Sequence, residues 1–332
     1  MVLVTGGTGF VGAYLLAELV KDGKEVKALK RPASSTTHTE KLFQYKFGDK
    51  GKELFQRVNW VNGDIMEIHT LEEAIEGIDD VYHCATEVSL RDDSPDEIIL
   101  TAEKGTENMV NAALNKGVKR FCHVSSVAAL GEYTNGKEIT EDAYDDFSYV
   151  NAPYSIGKHL AEAQVWRAQA EGLNVVVVNP SMILGPWPGK KGTMSFFYFL
   201  KKNSTFYTGG TMGYVDVQDV VNIMLRLTNE DRGGRYLVSS ENVSFHDLFN
   251  NIATEIGKKG PSIKMGPAGL KFFRILNNIF SRNKITGTMV EHSSNTYLYS
   301  NRKVCGALDY KFIPVSQSIK ESATYFLNES KQ

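Results

Sequence analysis

The glycine-rich segment Thr5–Gly12 restricts the fold of this chain more than any other sequence feature. It reads Thr-Gly-Gly-Thr-Gly-Phe-Val-Gly and directly follows a short apolar run, Val2–Thr5. Residues 10–22, which come next, carry apolar side chains at helical spacing. Glycine allows a tight turn and a close backbone approach, and the start of a helix offers free N–H groups to a phosphate. Strand, turn and helix in this order predict a dinucleotide-binding site, with a glycine turn that holds no ligand as the alternative.

The chain alternates short apolar runs with longer helical patterns. Residues 2–5, 25–30, 58–61, 80–84, 120–125, 174–179 and 235–239 read as strands, and residues 10–22, 70–76, 95–116, 153–171 and 216–228 read as helices. Strands that alternate with helices imply parallel pairing through right-handed crossovers. Several runs are apolar almost throughout, as in a sheet that helices cover on both faces. The predicted fold is therefore α/β, with a doubly wound parallel sheet of the Rossmann type.

The pattern changes after Pro180. Glycine and proline cluster at residues 185–192, an aromatic stretch follows at residues 196–199, and most of the C-terminal part reads as helical. We expect a dinucleotide-binding domain over residues 1–180, to which residues 214–239 return. The remaining parts, residues 181–213 and 240–332, are expected to form a smaller, mostly helical substrate-binding lobe.

Composition and charge exclude several classes of protein. The chain has 332 residues with 37 Lys and Arg against 39 Asp and Glu, so no basic excess is present to bind nucleic acid. No apolar run has the length of a membrane span, and no signal peptide precedes the first strand. Three widely spaced cysteines, Cys84, Cys122 and Cys305, favour buried thiols in a reducing compartment over disulfides or a metal site. We therefore expect a cytoplasmic protein without bound metal.

A tyrosine and a lysine four residues apart indicate the chemistry. Tyr154 and Lys158 lie near the start of a predicted helix, where this spacing places both side chains on one face. A free tyrosine has a pKa of about 10, which a neighbouring ammonium can lower by ~1–3 units, so that the phenol can exchange a proton near neutral pH. Gly157, between them, would let a flat ring approach the backbone. Ser126 ends the fifth strand, where its hydroxyl can stabilise charge on a substrate oxygen. Together these residues predict hydride transfer at a C–O centre.

The residues that follow the second and third strands bear on the choice of cofactor. Lys30 and Arg31 end the second strand, where a basic residue suits the 2′-phosphate of NADP and an acid would suit NAD. We therefore expect NADP(H) as the preferred cofactor, with NAD(H) as the alternative. Asp64 follows the third strand and could accept a hydrogen bond from an adenine amino group, or it could be a turn aspartate.

These residues together resemble the extended short-chain dehydrogenase/reductase family, or NAD-dependent epimerase/dehydratase family. More narrowly, they resemble its dihydroflavonol-4-reductase and 3β-hydroxysteroid-dehydrogenase-like branch. The resemblance covers essentially the whole chain and is strongest over residues 2–186. It is carried by Thr5–Gly12, Ala28–Pro32, Asn62–Ile65, Tyr82–Ala85, Gly105–Asn108, Val124–Ser126, Tyr154–Lys158 and Asn179–Pro186. It implies that Cys84, Ala85 and Thr86 pass the cofactor, and that Pro180 and Ser181 lie beside the nicotinamide.

With this resemblance, the residues assigned to the site can be named in full. The catalytic residues are Ser126, Tyr154 and Lys158. The cofactor-binding residues are Gly6, Thr8, Gly9, Phe10, Val11, Gly12, Lys30, Arg31, Asp64, Ile65, Cys84, Ala85, Thr86, Tyr154, Lys158, Pro180 and Ser181. The substrate-binding residues are Ser126, Met182 and Trp187.

Departures from the family pattern indicate the class of substrate. Sugar-nucleotide epimerases usually read Asn-Val-Tyr-Gly-Pro-Arg after the sixth strand, and this chain has apolar groups there, including Met182 and Trp187. Ala102 stands where many members carry the asparagine of a proton relay. The prediction is an NAD(P)-dependent carbonyl reductase or alcohol dehydrogenase that acts on an apolar small molecule. A nucleotide-sugar epimerase or reductase, and a non-catalytic dinucleotide sensor, are the alternatives.

Two further features leave alternatives open. Residues 268–281 form a basic amphipathic pattern, which favours a helix packed on the lobe over one resting on a membrane surface. Residues 196–199 either line an apolar pocket or belong to the core of the lobe. No nucleic-acid partner and no integral membrane segment are expected, and a homodimer is left open.

Overall fold

The structure is a computed structural model, and it describes residues 1–85, 95–131, 136–143, 152–190, 192–202, 204–266, 269–270 and 293–329. In chain order the strands are β1 (Val2–Thr5), β2 (Val26–Lys30), β3 (Asn59–Asn62), β4 (Asp80–His83), β5 (Arg120–Val124), β6 (Glu138–Ile139), β7 (Val175–Pro180), β8 (Met182–Leu184), β9 (Phe206–Tyr207), β10 (Thr211–Asp216), β11 (Gly234–Val238), β12 (Glu241–Ser244), β13 (Ile263–Lys264) and β14 (Leu298–Tyr299). The helices are α1 (Phe10–Lys21), α2 (Thr37–Phe47), α3 (Gly51–Gln56), α4 (Ile68–Ala74), α5 (Pro95–Asn115), α6 (Pro153–Ala170), α7 (Met194–Lys201), α8 (Val217–Asn229), α9 (Phe245–Glu255), α10 (Arg302–Leu308) and α11 (Val315–Glu329).

The main sheet has seven parallel strands in the order β11-β7-β5-β4-β1-β2-β3. The strand order reverses between β1 and β4, so a crevice opens there at the carboxyl ends of the strands. Each predicted strand matches one of these seven to within one residue at either end. The predicted doubly wound parallel sheet is therefore confirmed.

Helices cover both faces of this sheet. Successive strand side chains point to opposite faces, so each inner strand contributes side chains to both layers. On one face, Val81, Phe121 and Val175 pack with residues of α4, α5 and α6. On the other face, Tyr82 and Cys122 pack with residues of α1 and α8. The burial explains why the strands are apolar on both sides and why Cys122 occupies a small buried position.

A second sheet begins where two neighbouring strands of the main sheet separate. After Ser181, β7 continues as β8, and after Ser239 and Ser240, β11 continues as β12. Strand β10 lies between β8 and β12, parallel to β8 and antiparallel to β12. We call this divergence, from Ser181 and Ser239 to β10, the strand fork.

The C-terminal part packs around the fork, with α11 against α7, α9, β8 and β10. The lobe that the sequence predicts as mostly helical also contains β9, β12, β13 and β14, and residues 37–56 hold two helices that the sequence analysis does not predict. The domain boundaries stay a prediction. Most of the predicted helix at residues 268–281 lies outside the described residues. None of the described helices combines the length and the apolar composition that crossing a membrane requires.

Candidate active site

The glycine turn between β1 and α1 is built for close backbone contacts. Gly6 has a φ of 72°, and a Cβ there would lie 2.6 Å from the carbonyl carbon of Cys84. A Cβ at Gly12 would lie 2.8 Å from the carbonyl carbon of Gly6, so a side chain would push α1 away from the turn. Gly9 is the N-cap of α1, and among the described residues no side chain caps this helix start. The turn therefore presents backbone N–H groups without a steric shield, which fits a pyrophosphate group.

The end of β4 is held against this turn by a buried polar chain. The backbone N–H of Ala85 donates to Thr5 Oγ1 at 3.1 Å, and Thr5 Oγ1 is also 2.8 Å from His83 Nδ1. His83 Nε2 lies 3.3 Å from Thr106 Oγ1 on α5. Cys84 and Ala85 thus stand beside the glycine turn, whereas Thr86 lies outside the described residues. That these residues pass the cofactor stays a prediction. The sequence analysis did not single out Thr5, His83 or Thr106 as a positioning chain.

Lys30 and Arg31, the basic residues at the carboxyl end of β2, differ in their surroundings. Lys30 Nζ donates to Asn62 Oδ1 at 2.9 Å, whereas Arg31 is exposed and forms no ion pair or side-chain hydrogen bond within the described residues. Asp64 Oδ1 accepts the N–H of Met66 at 3.0 Å, which is the turn arrangement named above as the alternative. Ile65 lies against Gly105, where a Cβ would stand 2.5 Å from Ile65 Cδ1.

The structure brings Ser126, Tyr154 and Lys158 together at the carboxyl end of β5. Tyr154 is in the first turn of α6, which begins with Pro153 at a position where a missing N–H costs nothing. The Ser126 hydroxyl lies close enough to the Tyr154 phenol to lower its pKa. Lys158 lies one helical turn further on and is 2% exposed, and its Nζ donates to the carbonyl oxygen of Val124 at 2.9 Å. A phenol, a hydroxyl and an ammonium therefore meet where the sheet opens.

Burial sets the electrostatics of these groups. It lowers the pKa of Lys158 to about 8, against the attraction of Glu162, which raises it. Burial also raises the pKa of Tyr154, although the nearby Ser126 hydroxyl lowers it. The expectation that the tyrosine pKa is lowered is thus not met in the chain alone, because desolvation of the phenolate is the largest effect on it. Tyr154 is protonated at neutral pH and is suited to donate a proton.

Gly157 serves helix packing, a role that the sequence analysis did not consider. A Cβ at this position would lie 3.1 Å from the Cβ of Ala102 and 3.4 Å from the Cα of Ile99, both on α5. The glycine therefore lets α5 and α6 approach closely, and no flat ring is needed to explain it. The same contact shows that Ala102, in the place of the relay asparagine, faces the helix that carries Tyr154.

The residues predicted to bind substrate divide into two groups. Met182 is partly exposed in β8, next to Ser181, whose hydroxyl is buried without a hydrogen-bond partner among the described residues. Trp187 is 9% exposed and packs against Phe10 at the start of α1, with ring centroids 5.4 Å apart, and against His38. Trp187 thus belongs to the packing around the glycine turn. The aromatic stretch at residues 196–199 packs on α9 and α11. Phe197 is buried in the core of the lobe, whereas Phe199 is 43% exposed.

A buried charged group near the triad follows the Tyr154–Lys158 motif in the family resemblance, but the sequence analysis gives it no role. Glu162, one turn after Lys158, is 1% exposed and binds Asn179 and Arg235. Its position four residues after Lys158 is a signal that could have found it, because that spacing places both on one helix face.

Comparison with known proteins places the chain in a family. Residues 2–239 match the model of the NAD dependent epimerase/dehydratase family. A putative dihydroflavonol 4-reductase of Synechocystis sp. is 29% identical over 266 residues, which are 78% of this chain and 73% of that protein. Cinnamoyl-CoA reductase 1 of Petunia hybrida is 30% identical over 253 residues, 71% of this chain and 72% of that protein. The crystal structure of gox2253 superposes with a TM-score of 0.82 at 26% identity and covers 100% of this chain and 99% of that one. The resemblance inferred from the residues is confirmed, and the chain belongs to the NAD dependent epimerase/dehydratase family.

Proposed function

We propose that the chain is an NADP(H)-preferring carbonyl reductase or alcohol dehydrogenase for an apolar small molecule. The observation that carries the proposal is the meeting of Ser126, Tyr154 and Lys158 at the end of β5. Relatives named as reductases, including the dihydroflavonol 4-reductase and cinnamoyl-CoA reductase above, support a redox reaction at a carbonyl group.

The three side chains have distinct roles in this proposal. The glycine turn and Lys158 would hold a nicotinamide cofactor, which would supply a hydride to the carbonyl carbon or accept one from an alcohol. The Tyr154 phenol donates its proton to the carbonyl oxygen, and the Ser126 hydroxyl donates a hydrogen bond to the same oxygen. Lys158, held by the Val124 carbonyl, places a positive charge near the phenol and stabilises the phenolate that remains.

The surroundings of the site support an apolar substrate. Partly exposed Met182 and Ile183 line the start of the fork, where an enzyme acting on sugar nucleotides would need polar side chains. NADP(H) is preferred in this proposal because Arg31 is exposed at the end of β2, free to bind a 2′-phosphate.

Replacing Tyr154 with phenylalanine tests the catalytic role. The change removes the proton donor and leaves the ring, so kcat/KM for NADPH-dependent reduction should fall by about 10²–10⁴-fold. The measurement is NADPH oxidation with a panel of aromatic and aliphatic ketones and aldehydes. Tyr45→Phe is the matched control, because Tyr45 is an exposed tyrosine on α2, and it should retain the parent activity.

Two outcomes would contradict the proposal. If Tyr154→Phe keeps the full activity of the parent chain, the catalytic reading fails and a non-catalytic dinucleotide sensor is favoured. If UDP- or GDP-sugars turn over with NAD while no ketone or aldehyde does, a nucleotide-sugar epimerase or reductase is favoured.

A further inference from the structure

Glu162 is a buried carboxylate that the proposed reaction does not use. It lies on α6 one helical turn after Lys158 and is 1% exposed. A buried charge is costly unless charged or hydrogen-bonding groups compensate it. The partners of Glu162 therefore indicate what this carboxylate does.

One carboxylate oxygen is linked to the backbone of Ser126. Asn179, the last residue but one of β7, donates from Nδ2 to Glu162 Oε1 at 2.5 Å. The same nitrogen donates to the carbonyl oxygen of Ser126 at 2.9 Å. Asn179 thus links Glu162 on α6 to the backbone of Ser126.

The other carboxylate oxygen is fixed from the neighbouring strand. Arg235 on β11 forms an ion pair with Glu162 Oε2, and Trp166 Nε1 donates to the same oxygen at 3.4 Å. The Arg235 guanidinium also donates to the carbonyl of Glu141 at 3.2 Å and lies 5.4 Å from the centroid of the Trp166 ring. This arrangement holds the carboxylate in one orientation.

The other titratable groups around Lys158 are uncharged. Burial raises the pKa of the Cys84 thiol, and it lowers the pKa of His83 to about 3 and that of His123 well below its usual value. Tyr154, on the same helix, has its pKa raised. Among the described residues that raise the pKa of Lys158, Glu162 is thus the carboxylate, and it is held by its ion pair with Arg235.

We propose that Glu162 is a positioning residue of the active site: clamped by Arg235, it keeps the buried Lys158 ammonium charged and, through Asn179, fixes the backbone of Ser126. This inference rests on the proposed reductase function, because it assigns the support of the same three catalytic groups. The inference explains why the buried ion pair of Glu162 and Arg235 lies next to the three catalytic groups.

Glu162→Gln tests whether the charge of Glu162 stabilises the Lys158 ammonium. It keeps the shape of the side chain and its capacity to accept from Asn179 but removes the charge. The alkaline limb of the pH profile of kcat/KM should move to lower pH by about one unit or more, because an opposite charge at this spacing shifts a pKa by ~1–3 units. Glu171→Gln is the matched control on the same helix, since Glu171 forms an exposed pair with Arg167. The control should leave the limb in place.

Arg235→Gln should not shift the alkaline limb of the pH profile in the direction expected for Glu162→Gln. It removes a positive charge from the same network, so the alkaline limb should move to higher pH or stay, never to lower pH. A purely structural role would lower activity in both variants without shifts in opposite directions. Equal shifts in the two variants, or no shift in Glu162→Gln, would overturn the inference.

A readout independent of turnover separates this inference from the proposed function. NMR titration of the cofactor-free chain with labelled lysines, with Lys158→Met to assign the resonance, measures the titration of Lys158 directly. The Glu162→Gln variant should titrate about one unit or more below the parent. If the parent reduces no carbonyl compound but this shift is present, the proposed function fails and the coupling stands. If the parent is active and the shift is absent, the coupling fails.

Discussion

Arg31 is the exposed charge to which the proposed function assigns recognition of the 2′-phosphate. It lies just after β2 and forms no ion pair within the described part of the chain, so its replacement should cost little stability. Arg31→Ala should weaken NADPH binding by about 10–100-fold and leave NADH binding unchanged, because charge-assisted hydrogen bonds to the 2′-phosphate contribute ~1.5–3 kcal/mol. Calorimetric titration with both cofactors measures this.

Lys24→Ala is the control for Arg31→Ala. It removes an equal charge just before β2, at the opposite end of the same strand, and should change neither affinity. Tighter NADH than NADPH binding by the parent chain would contradict the proposed cofactor preference.

The residues of the site were predictable to different degrees. The spacing of Tyr154 and Lys158 on one helix predicts their common face, and the strand–turn–helix order predicts the glycine turn. The pKa of Tyr154 was not predictable, because the sequence does not show how completely the phenol is desolvated. Trp187 and Gly157 were assigned to ligands, which stays a prediction. Their packing against Phe10 and Ala102 was not predictable, because these partners lie far away in sequence.

Helix α11 is attached to the sheet by a buried hydrogen bond. Ser318 is 0% exposed, and its hydroxyl donates to Asp216 Oδ2 at 2.5 Å, while Asp216 caps the start of α8. Ser318→Ala should lower the free energy of unfolding by about 1.5–3 kcal/mol, because a buried carboxylate loses a hydrogen bond. Urea denaturation measures the loss. Ser316→Ala, at an exposed position of the same helix, should change stability by less than ~0.5 kcal/mol. An equal loss in both variants would show that the bond contributes nothing specific.

The helices and strands that could be predicted from the sequence are those that bury a continuous apolar stripe. The strands of the main sheet other than the edge strand β3 are of this kind, as are α1 and α5. Helix α2 buries only Thr39, Leu42 and Phe43, which is too narrow a stripe to read with certainty from the spacing of residues. Strands β8 and β12 are three and four residues long, and both pair with β10 through contacts between distant parts of the chain. Periodicity does not report such pairings.

The stability of the whole molecule should depend on pH through a buried aspartate of α8. Asp219 is 1% exposed and accepts hydrogen bonds from Tyr310 Oη at 2.8 Å and from the N–H of Ile313 at 2.9 Å. Burial raises its pKa to about 6. Since the unfolded value is near ~4, the native state binds more protons between these values. The contribution of Asp219 to stability is therefore complete below pH ~4 and is lost as the pH rises through ~6.

Asp219→Asn isolates this contribution. The amide has the same shape and does not titrate, so the parent should lose about 2–3 kcal/mol relative to the variant between pH ~4 and ~7. Urea unfolding of both chains at a series of pH values measures the difference. A difference that stays constant over this range would contradict the assignment.

The strand fork has a consequence for how enzymes of this architecture can diversify. Strands β8 and β12 are direct extensions of β7 and β11, and β10 fills the gap between them, so the small sheet takes its register from the large one. The segments that leave the fork, such as residues 185–210, begin and end on fixed strands. They can therefore change in length and sequence without displacing Ser126, Tyr154 or Lys158. A change in the lobe can therefore arise in these segments while the positions of Ser126, Tyr154 and Lys158 are kept.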